Sequence, residues 1–318
     1  RTGPDTHPDH WREPMSATVT ALADSGVHYR HVLVPIDGSA RSVIALRSAR
    51  SLAARLGADV HTVGVGADER SFDELRSVAA AALDRQPSDP RIHTVAGSDA
   101  AQAISTLADE LGSTIVCMST HARGRFAGAV LGSTARAVLR FGDQPVITIG
   151  PLADRPDFMG DAWSAALEIG RVVVCVDAEL SAAELAHPGS AASTVDIAGR
   201  WAQALTMSLT ILHVAAPVFP LSDGVTVEES NRWLIRLAAS TSASLPGLAI
   251  DVHLEEDPIG VVDGVRSYLA KHPAGLVVVA AHVRTGVDRL VHGSTAAGIS
   301  ATSSIATLVI PSHQGVQP

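Results

Sequence analysis

Lysine is almost missing from this chain: Lys271 is the single one among 318 residues, and the other basic side chains are all arginine. The first half therefore has no ammonium group to set against a phosphate. There is also no Gly-x-x-x-x-Gly-Lys loop, which excludes the P-loop machinery for nucleotide hydrolysis. Aromatic residues make up only 3% of the chain, so its cores must be built from aliphatic strands and Ala-rich helices. An excess of positive charge is absent too. The net charge of -9 argues against a nucleic-acid partner, whose affinity comes from a basic surface that releases counterions. Cysteines number two, Cys117 and Cys175, each inside an apolar run, and read as buried core thiols rather than redox or metal groups. No cluster of His, Cys or carboxylates has metal-ligand spacing. No window approaches the roughly 18 unbroken apolar residues of a membrane span, and no leader pattern is legible, so the expected location is the cytoplasm.

What is present is an aliphatic, α/β composition, 46% hydrophobic, in a chain long enough for two domains of about 100 to 150 residues. Residues 1–29, with Pro4, Pro8 and Pro14, read as a flexible arm. From His31 short β-branched runs alternate with Ala-rich helical segments, the order of βαβ units on a parallel sheet. Strands are expected at His31–Asp37, Val60–Val65, Arg91–Val95, Thr114–Ser119 and Pro145–Ile149. Between them lie a helix with Val43, Leu46, Ala49, Ala53 and Leu56 on one stripe, stopped by Gly57, and a second near Phe72–Leu83. A third runs over Ala100–Leu111, capped by Asp99 and stopped by Gly112, and a fourth over Ser133–Phe141, closed by Gly142. After a Pro- and Gly-containing connection the succession begins again, with strands at Arg171–Asp177, Ser208–Val214, Leu248–Leu254, Gly275–Ala281 and Ile305–Pro311.

The chain supplies its own comparison. Ser119-Thr120-His121-Ala122-Arg123 is followed by Gly132-Ser133-Thr134 at the same distance as Ala280-Ala281-His282-Val283-Arg284 is followed by Gly293-Ser294-Thr295. Asp37 and Asp177 match as strand-end aspartates, and the second copy is longer by about twenty residues, the kind of insertion that belongs in surface loops. A repeat of this length means a duplicated domain, since each copy can bury its own sheet. The units expected are 30–151 and 170–312, joined by a linker at 152–169 and followed by a tail at 313–318.

Gly132-Ser133-Thr134 opens a helix straight after a loop, and a helix N-terminus entered through Gly offers backbone N–H groups and positive potential to a phosphate. Ser after Gly is equally an ordinary helix cap. In an open parallel sheet ligands bind beyond the carboxyl ends of the strands, where Asp37, Val65, Ser119 and this loop would converge.

Asp37-Gly38-Ser39 after a Val-rich strand, Gly97-Ser98-Asp99-Ala100 before a helix, Ser119 to Gly124, and Leu131-Gly132-Ser133 with Pro145-Val146 beyond resemble universal stress proteins, twice over between His31 and Pro311. The resemblance implies tandem, doubly wound domains of the adenine nucleotide alpha hydrolase-like type, each a five-stranded parallel sheet flanked by helices. It also implies pairing through the last strand, within the chain and in a homodimer, and in one subclass ATP binding, with or without Mg. That subclass carries Gly, two residues, Gly, nine residues, then Gly and Ser or Thr. Here Ser119 and Ala122 replace the first two glycines while Gly132 and Ser133 remain. In the second copy Ala280 and Val283 replace them, with Gly293 and Ser294 retained. Val is β-branched, disfavours positive φ and adds bulk where the backbone should approach the ligand, so the second site is expected to be weak or empty.

Carried over residue by residue, the resemblance implies an adenine pocket at Pro35, Ile36, Asp37 and Val65, ribose contacts at Met118 and Ser119, and phosphate contacts at Gly132, Ser133 and Thr134, with Ala122 and Arg123 in the intervening loop. The matching second-site positions are Asp177, Val214, Ala280, Val283, Gly293, Ser294 and Thr295. Asp37 has two readings, acceptor from the adenine edge or cap of the loop that follows it. Arg123, Arg125 and Arg136 either offset phosphate charge or are solvated. His121 and His282 have no nucleophile-and-carboxylate arrangement and read as structural, and His61 and His213 as strand-end packing on matching strands.

Three functions follow. A stress-linked regulatory protein holds ATP mainly in the first domain without efficient turnover. Alternatively, both sites are degenerate and the chain is a nucleotide-independent interaction module for an unknown protein partner. A slow ATPase has the least chemistry behind it, because no base is identifiable beyond Asp37.

Overall fold

The computed structural model describes residues 29–112, 114–120, 132–150, 166–176, 189–215, 227–281 and 294–311. In order, these form β1 (His31–Ile36), α1 (Ala40–Leu56), β2 (Asp59–Gly66), α2 (Glu69–Leu83), β3 (Ile92–Ala96), α3 (Ala100–Leu111), β4 (Thr114–Ser119), α4 (Ser133–Phe141) and β5 (Val146–Ile149). The second half supplies β6 (Arg171–Val176), α5 (Gly189–Ala204), β7 (Ser208–Ala215), α6 (Val227–Ser244), β8 (Ile250–Glu256), α7 (Val261–Lys271), β9 (Leu276–Ala281), α8 (Ser294–Thr302) and β10 (Thr307–Pro311).

Caps explain the sharpest boundaries. Ser39 accepts from Ser42 N to start α1, and Gly57, at φ +62°, ends it with its N–H on Ala53 O. Asp99 accepts from Gln102 N at 3.0 Å to start α3. Helix α2 begins three residues ahead of the expected Phe72, because Asp68 and Ser71 form a reciprocal capping box that satisfies backbone donors otherwise left open. Strand β8 is displaced by two residues from the expected Leu248–Leu254. Gly247, at φ +83°, turns the chain later, and the register with β7 runs on to Ala215 opposite Glu256. Charged residues are tolerated there because β8 is an outer strand.

The ten strands form one sheet in the order β3-β2-β1-β4-β5-β10-β9-β6-β7-β8. Each half is five parallel strands in the same succession, and the two halves meet where β5 and β10 pair antiparallel, Ile147 opposite Leu308. The pairing through the last strand that the resemblance implies is found within the chain and makes one continuous sheet: the last strand of each half is covered by the other. Helices α1, α2, α5 and α6 cover one face over a core shared by both halves, from Leu46 and Leu75 through Ile147 and Leu308 to Trp201 and Trp233. On the other face α3 and α4 pack over Leu33, Val63 and Val116, and α7 and α8 over Val173, Leu212 and Val277; Leu139 of α4 touches both clusters. The fold is α/β, a parallel-dominated sheet flanked by helices.

The arm expected over 1–29 and the linker and tail lie outside the described residues, with exceptions at their ends. Tyr29 is no part of a loose arm. Its ring stacks on Trp201 of α5, centroids 5.5 Å apart, and burial pushes its phenol up to about 12. Among the linker residues, Arg55 of α1 pairs with Glu168. Cys117 is buried and Cys175 half-buried, and burial pushes the Cys175 thiol up to about 12, which keeps it protonated and unreactive.

Gly150 sits against the junction: a Cβ there would lie 2.6 Å from Ser300 O and 3.3 Å from Ser303 O. Those are backbone atoms and cannot swing aside. Gly150→Val is expected to cost about 1–3 kcal/mol by overpacking, read as a lower urea midpoint, whereas Gly57→Ala, strained only at an exposed helix end, should cost about 1 kcal/mol.

Candidate functional site

Strands β2 and β3 extend from one side of β1, β4 and β5 from the other. The crevice at such a reversal, beyond the carboxyl ends of the strands, is where open α/β sheets take ligands. Asp37 follows β1 at this point and Ser119 ends β4.

The turn that leaves β1 is built by three residues. Gly38 has φ +75°, which only glycine adopts without strain. Ser39 N donates to Asp37 Oδ1 at 3.0 Å, and Asp37 N donates to Ser42 Oγ at 3.4 Å. The structure therefore gives Asp37 the loop-capping role, on an exposed carboxylate. Pro35 and Val65 are half-buried beside it. Ile36 and Met118 are in the core, Met118 only 5% exposed: they lie on opposite faces of the sheet, and helices cover both; at the crevice they can offer only backbone.

Thr120, which the sequence reading passed over, closes the other side. It is fully buried, its N–H donates to Ile149 O at 3.1 Å, and its carbonyl accepts from Gly132 N at 2.8 Å. These bonds tie the end of β4 to β5 and set Gly132 at the start of α4. Gly132 caps α4 and makes no side-chain hydrogen bond of its own to the first backbone N–H groups of the helix. Ser133 is exposed and Thr134 half-buried. Arg136, one turn on, is exposed. Ser119 is half-buried and lines a small cleft with Arg41, Ile44, Ile149 and Gly150. Arg41 gave no signal in the sequence, since an exposed arginine on a first helical turn reads as solvated. His121, Ala122, Arg123 and Arg125 lie outside the described residues. The structure thus brings together Pro35, Asp37, Val65, Ser119 and Gly132 to Thr134 at the ends of adjacent strands. The set can hold an anion at a helix N-terminus and a planar group beside Val65.

The second half differs at the matching place. Val214, seventh residue of β7 as Val65 is of β2, is 5% exposed. Helix α7 presses on it so closely that a Cβ on Gly264 would meet Val214 Cγ1 at 2.4 Å. Ala280 is half-buried at the end of β9, Ser294 opens α8, and Thr295 is exposed. Asp177, His282, Val283 and Gly293 lie outside the described residues. His61 and His213 do not occupy matching positions: His213 is sixth in β7, buried, with Nδ1 3.1 Å from Val176 O and its ring against Trp233, whereas His61 is third in β2. Among the described residues no group of three His, Cys, Asp or Glu is arranged to hold a metal ion, and no helix is long and apolar enough to cross a membrane.

Comparison with known proteins gives the same architecture. A functionally unknown protein from Pseudomonas aeruginosa PAO1 superposes with a TM-score of 0.61 at 19% identity, covering 90% of this chain and 93% of that one. A universal stress protein from Archaeoglobus fulgidus DSM 4304 superposes with a TM-score of 0.61 at 16% identity, covering 90% and 99%. At these identities the likeness is one of fold. No curated protein matches the chain. Residues 28–150 match the Universal stress protein family.

Proposed function

We propose that the chain is a stress-response regulatory protein that binds ATP, with or without Mg, mainly in its first half and without efficient turnover. One observation carries the reading: the glycine-entered start of α4 at Gly132 shares the β1/β4 switch point with Asp37 and Val65. Phosphates would lie on the α4 N-terminus, where backbone donors and the helix dipole favour anions. The adenine would lie toward Val65, its edge within reach of the Asp37 side of the crevice. Turnover is not expected, since no lysine exists in this half. The second half is read as a second domain of the same kind whose site is empty, supported by the repeated strand order and by the packing of α7 onto Val214. A homodimer would have to use a surface other than β5 and β10, which are paired on both sides.

The test is to denature the purified protein, identify any small molecule released by chromatography and mass spectrometry, and follow phosphate release from added Mg-ATP. An adenine nucleotide released, with phosphate release no faster than the uncatalysed background, is the expected result. Release of no nucleotide together with no uptake on addition would favour the interaction module, and phosphate release lost in Asp37→Ala would favour an ATPase.

A further inference from the structure

At the opposite ends of the same strands lies a feature the nucleotide reading leaves unused. His31 of β1, His61 of β2 and His93 of β3 stand side by side across three adjacent strands. His31 and His61 meet edge to face at 4.9 Å, and His61 and His93 stack at 5.4 Å. His61 Nδ1 lies 3.1 Å from His93 Nε2. By strand alternation the three share the face of Leu33 and Val63, under α3. His61 is 8% exposed, and His31 Nδ1 is buried without a hydrogen-bond partner. A nitrogen-to-nitrogen hydrogen bond needs one N–H and one lone pair; a proton on the accepting nitrogen sets two N–H groups against each other.

We propose that this histidine stack is an acid-sensitive latch on the outer β3 edge of the sheet, closed while the His61–His93 pair shares one bridging proton and released when it takes up a second. His93 belongs to the outermost strand, so the bond it makes to His61 joins that strand to the rest of the half. The groups facing His61 are His31 from β1, His93 from β3, Arg91 just ahead of β3, and Asp59 from its own strand; Glu110 of α3 faces His93. Arg91 is tied to Asp89 and Asp59, and it adds to the opposition that burial and the two neighbouring histidines present to charge on His61, against the pull of Asp59. Together they hold His61 down at about 4. The open strand, whose histidines titrate at about 6.5, therefore binds more protons than the closed one between these values. The latch is intact above about pH 6.5 and weakens as pH falls toward 4.

The second half lacks the device at the same places. Arg171 begins β6 as His31 begins β1, and Thr210 is third in β7 as His61 is in β2. His253 lies opposite Leu212 as His93 lies opposite Val63. His253 Nε2 is 3.0 Å from Glu255 Oε2, a carboxylate that also meets Lys271 Nζ at 3.1 Å, so a proton on His253 strengthens its contact instead of breaking it.

Hydrogen exchange of the full chain at pH 7.5 and 5.0, read by mass spectrometry and corrected for the intrinsic rate, tests the latch. Opening over residues 59–96 is expected to rise about tenfold on acidification, discounted from the full linkage value for partial solvation, while residues 208–256 change by less than about twofold. His61→Gln should remove the pH dependence over 59–96. Should that variant fail to fold, the titration of the His61 ring by NMR in the unaltered chain decides. A midpoint near 4 supports the latch, and a midpoint near the ordinary histidine value overturns it, as would an equal rise in both halves or an unchanged pH response in His61→Gln.

Discussion

Gly132→Asp is expected to remove ATP binding, weakening it at least about a hundredfold, or about 2.7 kcal/mol, while Gly293→Asp leaves it within about twofold of the parent. The reasoning turns on what aspartate does at a helix cap. Gly132 has φ -57° and ψ 152°, a conformation open to any L-residue, and aspartate is a favoured N-cap. The fold of α4 should therefore be kept or slightly strengthened. The added carboxylate would occupy the anion position, accept from the first N–H groups of α4 and repel the phosphates. Because helix and strand survive, lost binding reports the site and not the fold. In the second half the same change meets a place where Val283 replaces glycine in sequence and α7 packs onto Val214, so no loss of binding is expected. Isothermal titration of both variants with Mg-ATP checks the pair, and equal losses would sink the claim that the halves differ.

The largest expected effect on stability is at Trp201. Its side chain is wholly buried, it stacks on Tyr29, and it belongs to the one cluster that runs through both halves. Trp201→Ala removes the transfer energy of the ring and leaves a cavity that the rigid sheet beneath can only partly close. A loss of about 3–5 kcal/mol is expected, read from urea unfolding. Since the core on this face is continuous from Leu46 to Trp233, the unfolding of the first half should shift with that of the second. Separate transitions, with only one of them moved, would mean that the shared core couples the halves weakly. Tyr29→Leu keeps much of the apolar contact and should cost about 1 kcal/mol, mainly the ring pairing.

Local signals made much of the fold legible. Gly57 stops α1, Asp99 and Gly112 bracket α3, and each acts through backbone hydrogen bonds that depend on neighbours three or four residues away. The same is true of β4, whose run Thr114–Ser119 is apolar because both its faces are covered. What could not be read locally depends on pairing. The antiparallel meeting of β5 and β10 joins two halves far apart in sequence, and neither strand carries a mark distinguishing an internal edge from an exposed one. The histidine stack needs the register of three strands before His31, His61 and His93 become neighbours. At the crevice, Ile36 and Met118 were named with the site although their side chains turn into the core. Because helices cover both faces of the sheet, either parity of a strand is buried, Ile36 on one face and Met118 on the other. Thr120 was missed because its role is a pair of backbone bonds, to Ile149 and Gly132, that no side-chain pattern announces.

The central claim is one functional nucleotide site per chain, in the first half. Isothermal titration of nucleotide-stripped protein with Mg-ATP tests it most directly. Saturable binding with a stoichiometry near one ATP per chain is the predicted result; binding of two equivalents, or no heat from a protein that releases no nucleotide on denaturation, would contradict it.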